Sequence, residues 1–331
     1  MMKKYYPADS LKSPKFCGVR TFMRLPFVRE IEGHGDEIDL AFVGIPFDTG
    51  GSYRTGQRFG PAAIRDASVM VRRYNPIQKI EIFEHISGID YGDLSVVPGN
   101  IEETYRLIEE ELTPLIRNGI VPIGMGGDHS ITLGELRAVA KVYGPVAIVH
   151  FDAHNDTDDS PFGLKYNHGT PFRWAAAEGL LDLEHSVSVG MRGSQYHPYE
   201  YQEAEEIGIK VITAEMMRQM GLPQVTEEIK KRVGDAPVFF TFDIDFCDPA
   251  SAPGTGTVEV EGFNSHETLS LIRSISSLHY VAFDMVEMLP AYDHNEITAN
   301  LISHVGYEFA SIMAMHYRDN APYLEMIRKN K

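Results

Sequence analysis

Cysteine, tryptophan and long apolar runs are scarce in this sequence, and the scarcity excludes several classes of protein. Of 331 residues only two are cysteine, Cys17 and Cys247, so neither a disulfide scaffold nor a thiolate metal site is expected. No apolar run approaches the roughly 18–20 residues that cross a membrane. The first residues are basic with no apolar stretch behind them, so no signal peptide is predicted. We therefore expect a cytoplasmic protein that does not act on a membrane.

Basic residues are also few, with 30 Lys and Arg against 47 Asp and Glu and a formal net charge of −17. An acidic chain repels nucleic acid and anionic lipid at long range, so neither is an expected partner. Internal repeats and linker-like tracts rich in proline, glycine and serine are missing as well. We predict a single domain over residues 1–331, with 1–35 as an N-terminal extension.

The sequence does contain short apolar runs that alternate with amphipathic segments. Buried strands are predicted over Leu40–Ile45, Val121–Met125, Val146–Phe151, Val187–Gly190, Lys210–Ile212, Val238–Phe242 and Tyr280–Phe283. The clearest helix begins after Asn100, with Glu103 placed to complete a capping box, and ends at Asn118-Gly119. Further helices are predicted over 133–142, 170–179, 224–233, 266–277 and 296–315. This order predicts a three-layer α/β domain, in which helices cover both faces of a mostly parallel sheet.

Ligands of such sheets bind beyond the carboxyl ends of the strands, so those ends are where chemistry is expected. The strand Val121–Met125 leads through a diglycine turn to His129, and Thr132 and Glu135 are spaced as a capping box for the next helix. Taken alone, His129 is explained equally well by a tight turn with a polar cap.

Two further strand ends carry acidic and imidazole side chains at every second position. They are Asp152, His154 and Asp156 after one strand, and Asp243 and Asp245 after another. Alternate side chains of an extended chain share one face, and adjacent buried carboxylates are costly without a cation. Together with His129, these residues suit Mn²⁺, with Fe²⁺, Ni²⁺ or Zn²⁺ as alternatives. Six ligands are too many for one catalytic ion, so we expect two ions about 3.5–4 Å apart.

These motifs resemble those of the ureohydrolase family, which includes arginase, agmatinase, guanidinobutyrase and guanidinopropionase. The resemblance rests on GGDHS, DAHND and FDIDFCDP with APGTGT, and it extends from about residue 40 to 315. YNHGTPF at Tyr166–Phe172 and VEMLPAYDHNEIT at 286–298 look like the agmatinase branch rather than arginase. The resemblance implies an arginase-like domain with an eight-stranded parallel sheet. It also implies a homo-oligomer, a trimer or a hexamer.

The same resemblance assigns roles to individual residues. It implies that two Mn²⁺ ions bind per chain, with Ni²⁺ as an alternative, since the family has nickel-dependent members. One ion would be held by His129 and Asp156, the other by His154 and Asp245, and Asp152 and Asp243 would bridge them. Three residues would act on the substrate: Asp156 as proton donor to the departing amine, Glu287 as guanidinium-binding carboxylate and His168 as proton shuttle. For Glu287 a surface carboxylate, and for His168 a helix N-terminal histidine held by backbone, are the alternatives.

The expected activity is therefore hydrolysis of a small guanidino compound to urea and an amine. Agmatine, which would give putrescine, is the first choice, and the acidic pair Asp158-Asp159 would meet its cationic tail. Guanidinobutyrate, guanidinopropionate, a substituted guanidine and a biguanide stay open, because the segments 256–262 and 288–292 depart from the family pattern. Arg54 and Arg58 would meet a substrate carboxylate or hold the glycine-rich loop.

Two readings of another class also stay open. A zinc amide deacetylase on the same type of sheet typically keeps one ion bound by two Asp and one His. A non-catalytic subunit would be expected to lose ligands. The six ligand residues present in this chain argue against both.

Overall fold

The computed structural model describes residues 3–328. Its strands are β1 (Leu40–Ile45), β2 (Tyr74–Asn75), β3 (Ile80–Glu81), β4 (Gly88–Asp93), β5 (Val121–Gly126), β6 (Ala147–Phe151), β7 (Val187–Val189), β8 (Lys210–Ile212), β9 (Pro237–Asp243) and β10 (His279–Val286). Its α-helices are α1 (Gly60–Ser68), α2 (Ile82–His85), α3 (Ile101–Arg117), α4 (Thr132–Tyr143), α5 (Pro171–Ala177), α6 (Glu200–Ile207), α7 (Ala214–Met220), α8 (Leu222–Val233), α9 (Ser265–Ser274), α10 (Ile297–Arg318) and α11 (Leu324–Arg328).

Eight of the strands form one sheet in the order β4-β1-β5-β10-β9-β6-β7-β8, and every pairing in it is parallel. Strands β1, β5 and β6 are buried along their whole length, as expected of a sheet covered by helices on both faces. The expected α/β fold with an eight-stranded parallel sheet is confirmed. Within residues 3–328, no helix combines the length and apolar character that a membrane crossing requires.

Strand β4 and the short antiparallel β2–β3 pair are not among the seven predicted strands. The sequence of β4, Gly-Ile-Asp-Tyr-Gly-Asp, has two glycines and two carboxylates and therefore lacks the apolar run of a buried strand. It forms the sheet edge beside β1, where Asp90 accepts hydrogen bonds from Nε of Arg65 at 2.8 Å and from the backbone N–H of Phe22 at 2.7 Å. A buried ion pair thus replaces apolar packing in this strand.

All six predicted helices are present, and the additional ones, α1, α2, α6, α7 and α11, are nine residues or shorter. Such short helices have too few turns for an apolar repeat of about 3.6 residues to be recognised in the sequence. Asn100 caps α3 by accepting from the backbone N–H of Glu103, but the predicted capping box is only half formed. The backbone N–H of Asn100 donates instead to the carbonyl of Val97, and the Glu103 carboxylate binds Arg106.

The second predicted capping box, at Thr132 and Glu135, is wrong. Thr132 is already the first residue of α4, and its hydroxyl donates to Oδ2 of Asp284 at 2.6 Å instead of capping the helix. Glu135 is buried rather than turned back to the helix start.

Four neighbouring strands, β5, β10, β9 and β6, determine where the site lies. In a parallel sheet their carboxyl ends meet at one edge. His129, Glu287, Asp243 and Asp152 follow or terminate these four strands, so the topology alone brings distant parts of the chain together.

Candidate metal centre

His129 lies directly beyond β5 and is fully buried. Its Nδ1 is surrounded by three carboxylate oxygens, Oδ2 of Asp156 at 2.9 Å, Oδ2 of Asp152 at 3.1 Å and Oδ2 of Asp243 at 3.2 Å. Within the described residues no hydrogen-bond partner satisfies this nitrogen. At metal–ligand distances of about 2.0–2.2 Å, the ligand atoms of one ion lie about 3 Å apart. His129, Asp152 and Asp156 therefore lie close enough together to bind one divalent ion, with Asp243 beside them.

His154, which is half-buried, forms a second such group with Asp245 and Asp152. Its Nδ1 lies 3.0 Å from Oδ2 of Asp245 and 3.5 Å from Oδ1 of Asp152. Asp152 thus turns Oδ2 toward His129 and Oδ1 toward His154, which is the orientation of a carboxylate that bridges two ions. The structure brings all six predicted ligands into one cluster.

The cluster carries more negative charge than its side chains neutralise. Burial, followed by the neighbouring Asp245 and Asp152 carboxylates, raises the pKa of Asp243 well above its ordinary range. Burial and Asp152 likewise raise the pKa of Asp245 to about 6. Removing four carboxylates from water is costly unless cations accompany them. The donor set of imidazole and carboxylate fits Mn²⁺ and related divalent ions.

His150 belongs to this site, although the sequence reading did not single it out. It lies inside β6, two residues before Asp152, and its Nε2 is 2.7 Å from Oδ2 of Asp152. Its Nδ1 lies 2.9 Å from the hydroxyl of Ser188 on the adjacent strand. Both ring nitrogens are thus used within the protein, and His150 orients the carboxylate rather than completing the ligand set. The spacing of two residues between Asp156, His154 and Asp152 leads, one step further toward the N-terminus, to His150, so the same pattern could have predicted it.

Glu287 follows β10 in a left-handed backbone conformation, with φ of 64°, and is 1% exposed. The alternative interpretation of Glu287 as a surface carboxylate is therefore wrong. Nδ1 of His168 lies 3.4 Å from Oε1 of Glu287. Burial lowers the pKa of His168, but the Glu287 carboxylate outweighs burial and raises it to about 9. Nε2 of His168 faces the backbone N–H and the hydroxyl of Ser52, at 3.2 and 2.7 Å.

A cavity of about 140 Å³ opens onto this cluster. Its wall includes His154, Asp156, His168 and Asp243, so it reaches both proposed metal positions and the proposed shuttle. Glu287 does not line the open cavity and lies beneath it, next to His168.

The outer wall of the cavity is acidic, because Asp158 and Glu200 line it. Among the described lining residues Arg192 is the one guanidinium or ammonium group, and it is 9% exposed. Its Nη2 donates to the carbonyls of Asp245 and Glu259 at 2.6 and 2.9 Å, and its Nε donates to the carbonyl of Val260 at 2.9 Å. Arg192 therefore holds the divergent segment 256–262 in place instead of offering its charge to a ligand.

Neither of the other two candidate arginines reaches the cavity. Nε of Arg58 donates to Oδ1 of Asp48 at 2.6 Å. The guanidinium of Arg54 stacks 4.3 Å from the ring centroid of Tyr292, which belongs to the second divergent segment. Both arginines thus hold the loop and its neighbours. Cys247 is buried, and burial raises its pKa to about 12, so it supplies no ligand here.

Comparisons with known proteins agree with this geometry. The profile of the Arginase family matches residues 38–311. The chain is 43% identical to the mitochondrial agmatinase of Gallus gallus, covering 89% of this chain and 86% of that protein. It is 40% identical to the guanidinobutyrase of Pseudomonas aeruginosa, covering 93% of this chain and 97% of that protein. Among solved structures, the proclavaminate amidino hydrolase of Streptomyces clavuligerus superposes with a TM-score of 0.85 at 38% identity, covering 91% of this chain and 99% of the other.

Proposed function

The chain belongs to the arginase family, and we propose that it hydrolyses a small guanidino compound to urea and an amine. Enzymes of this family are metal-dependent hydrolases that act on the C–N bonds of linear amidines. The observation that carries the proposal is the orientation of Asp152 between His129 and His154. Each histidine belongs to a group of at least three possible metal ligands, and Asp152 belongs to both groups, so together they form a site for two ions.

We assign the ligands as the strand ends indicate. His129 and Asp156 would hold one ion, His154 and Asp245 the other, and Asp152 and Asp243 would bridge them. When bound, two such ions lower the pKa of water from about 15.7 toward 7 and direct it at the substrate. We propose Mn²⁺ as the physiological ion, with Ni²⁺ as the alternative that the same donors accept.

The remaining residues would position the substrate and move protons. A guanidinium is planar and charged at any physiological pH, so a carboxylate must hold it beside the metal centre. Glu287, buried at that edge of the sheet, is proposed for this role. Asp156 would give a proton to the departing amine. His168 lies between Glu287 and Ser52 on the cavity wall, where it would exchange protons with solvent.

Agmatine is the proposed substrate because the cavity wall favours a cationic tail. Asp158 and Glu200 line the wall, and Arg192 is taken up by backbone carbonyls. A guanidino acid would place its carboxylate beside these two acids without a basic partner among the described lining residues. Guanidinobutyrate and guanidinopropionate are therefore the second choice, although the guanidinobutyrase similarity keeps them in the test.

The test is urea release after reconstitution with Mn²⁺ or Ni²⁺, with agmatine, guanidinobutyrate, guanidinopropionate and methylguanidine as substrates. We expect the highest kcat/KM with agmatine. The absence of urea from every compound would contradict the proposed function and favour a deacetylase or a non-catalytic subunit. Asp158→Asn should raise the KM for agmatine about fivefold, since such a contact is worth up to about 1 kcal/mol, and should spare methylguanidine. Asp159→Asn is the matched control, because Asp159, although predicted to meet the tail together with Asp158, is exposed and does not line the cavity.

A trimer or hexamer is proposed from the family membership, and size-exclusion chromatography with light scattering would decide it. A cytoplasmic location is proposed as well. The two cysteines are free, as a reducing compartment requires.

A further inference from the structure

Two carboxyl groups face each other in the core behind His129, and the mechanism above uses neither. Glu135 on α4 is 2% exposed and Asp284 on β10 is fully buried. They meet over Gly124 of β5, where a Cβ atom would collide with Oε1 of Glu135 and lie 3.1 Å from Cβ of Asp284. Within residues 3–328, no basic side chain forms an ion pair with either of them, and Oε2 of Glu135 and Oδ1 of Asp284 lack a hydrogen bond of ordinary geometry.

Two adjacent carboxylates cannot both stay ionised in a dry core, because neither charge is solvated or paired. A single proton held between them removes the conflict, since it turns one acid into a hydrogen-bond donor. Burial raises the pKa of both groups above their ordinary range, and Asp284 already accepts a hydrogen bond from the Thr132 hydroxyl, so the proton is assigned to Glu135. Asp284 then remains the acceptor of the pair.

Asp284 connects this pair to the metal centre. In the sheet it lies opposite Thr241 of β9, whose hydroxyl faces the Asp284 carboxylate. The hydroxyl of Thr241 is also 2.9 Å from Nε2 of His129. Because Nδ1 of His129 points at the ligand carboxylates, Nε2 carries the ring proton and donates it to Thr241. The Thr241 hydroxyl can then donate to Asp284, which also accepts from Thr132 at 2.6 Å.

We propose that Glu135 and Asp284 form a buried acid–carboxylate pair that positions His129 as a metal ligand through Thr241. The pair sets the tautomer and the orientation of the ring, as outer partners of metal-binding histidines do. Because Glu135 holds a proton, Asp284 beside it stays ionised and accepts hydrogen bonds. The inference rests on the two-ion site of the proposed function.

The experiment titrates the metal-free protein with Mn²⁺ by calorimetry and measures bound metal after desalting. Glu135→Gln keeps a donor of the same size, whereas Glu135→Leu removes it, and Thr241→Val removes the link to His129. We expect Glu135→Gln to bind two ions within about threefold of wild-type affinity. Glu135→Leu and Thr241→Val should each weaken one ion 10–100-fold, the usual effect of losing an outer partner. The double variant should bind Mn²⁺ no more weakly than the weaker-binding of the two single variants, because both substitutions interrupt the same chain of hydrogen bonds to His129.

Glu308→Gln is the matched control, because Glu308 is another buried carboxylate, paired with Arg273 on the far helices. It should lower thermal stability and leave both metal affinities unchanged. Wild-type affinities in both Glu135→Leu and Thr241→Val would overturn the inference, as would a Glu135→Gln variant as weak as Glu135→Leu. If Glu135→Leu does not fold, Thr241→Val alone decides. A wild-type protein that binds no ion would instead contradict the proposed function itself.

Discussion

Glu287 accepts a hydrogen bond from the backbone N–H of His129, with 2.9 Å between the nitrogen and Oε1. The proposed guanidinium-binding residue after β10 is thereby tied to a proposed metal ligand after β5. The other oxygen, Oε2, accepts from Nε2 of Gln57 at 2.8 Å. A carboxylate offers about four lone-pair directions, and because Nδ1 of His168 also lies 3.4 Å from Oε1, one is left for a ligand. A Cβ atom at position 256 would lie 2.5 Å from Nε2 of Gln57 and 3.3 Å from Oε2 of Glu287, so this close packing requires a glycine there.

Glu287→Gln should keep both metal ions and lose most urea-forming activity. The neutral amide fills the same space but cannot offset the charge of a guanidinium in a site with little water. Loss of such a contact costs about 2.7–4 kcal/mol, or about 10²–10³ in kcat/KM. Metal analysis and urea release on one preparation check both halves. Glu296→Gln, exposed in the same segment, serves as the control, and near-normal turnover in Glu287→Gln would exclude the anchoring role.

Asp152→Ala should remove both ions together, and so should Asp243→Ala, since each carboxylate is assigned to both positions. Asp245→Ala, which is assigned to one position, should leave a single ion bound. Elemental analysis after reconstitution gives the stoichiometry directly. Asp159→Ala provides an acidic control outside the ligand set. An Asp152→Ala protein that retains one tightly bound ion would show that this residue does not bridge.

The sequence predicted which six side chains meet at the sheet edge, and the structure places them together. Alternate positions of an extended chain share a face, which predicts that Asp152, His154 and Asp156 point together. In the structure the chain bends at Ala153 and His154, and Asp156 has a left-handed φ of 52°, so a bent loop rather than an extended strand brings them together. Parallel pairing then dictated which strand ends meet. Strand β4 escaped prediction because Asp90 is compensated by Arg65, a partner from another element that no periodicity reveals.

The surroundings of the ligands were harder to predict because they depend on distant partners. His150 reads as one polar residue in an apolar strand, and only the folded sheet shows its ring against Asp152. Glu135 reads as a helix cap, but in the fold its neighbour is Asp284, from the other half of the chain. Such pairings follow from strand order and helix docking, and local spacing does not encode them.

In the metal-free protein, the stability that His168 contributes, measured against a His168→Ala variant, should be largest at low pH. Its pKa is raised to about 9 because Glu287 outweighs burial, whereas an unfolded histidine titrates near 6.5. The protonated ring therefore favours the folded state fully below about pH 6.5, and this contribution is lost as the pH rises through about 9. Thermal unfolding of both proteins from pH 6 to 10 gives the difference in Tm. A difference that grows with pH would contradict the Glu287 contact.

His168→Ala should lower kcat strongly while metal content stays at the wild-type level. None of the described contacts of His168 joins it to the ligand cluster, since its ring faces Glu287 on one side and Ser52 on the other. Its loss therefore removes a proton carrier from the cavity wall without removing a ligand. The space left beside the cavity would admit a small imidazole, so added imidazole should restore part of the activity in proportion to its neutral form. A histidine that only packs the loop predicts the reverse, with an unstable or metal-poor variant on which imidazole has no effect. Metal analysis, thermal unfolding and urea release with and without imidazole, measured on this single variant, separate the two roles.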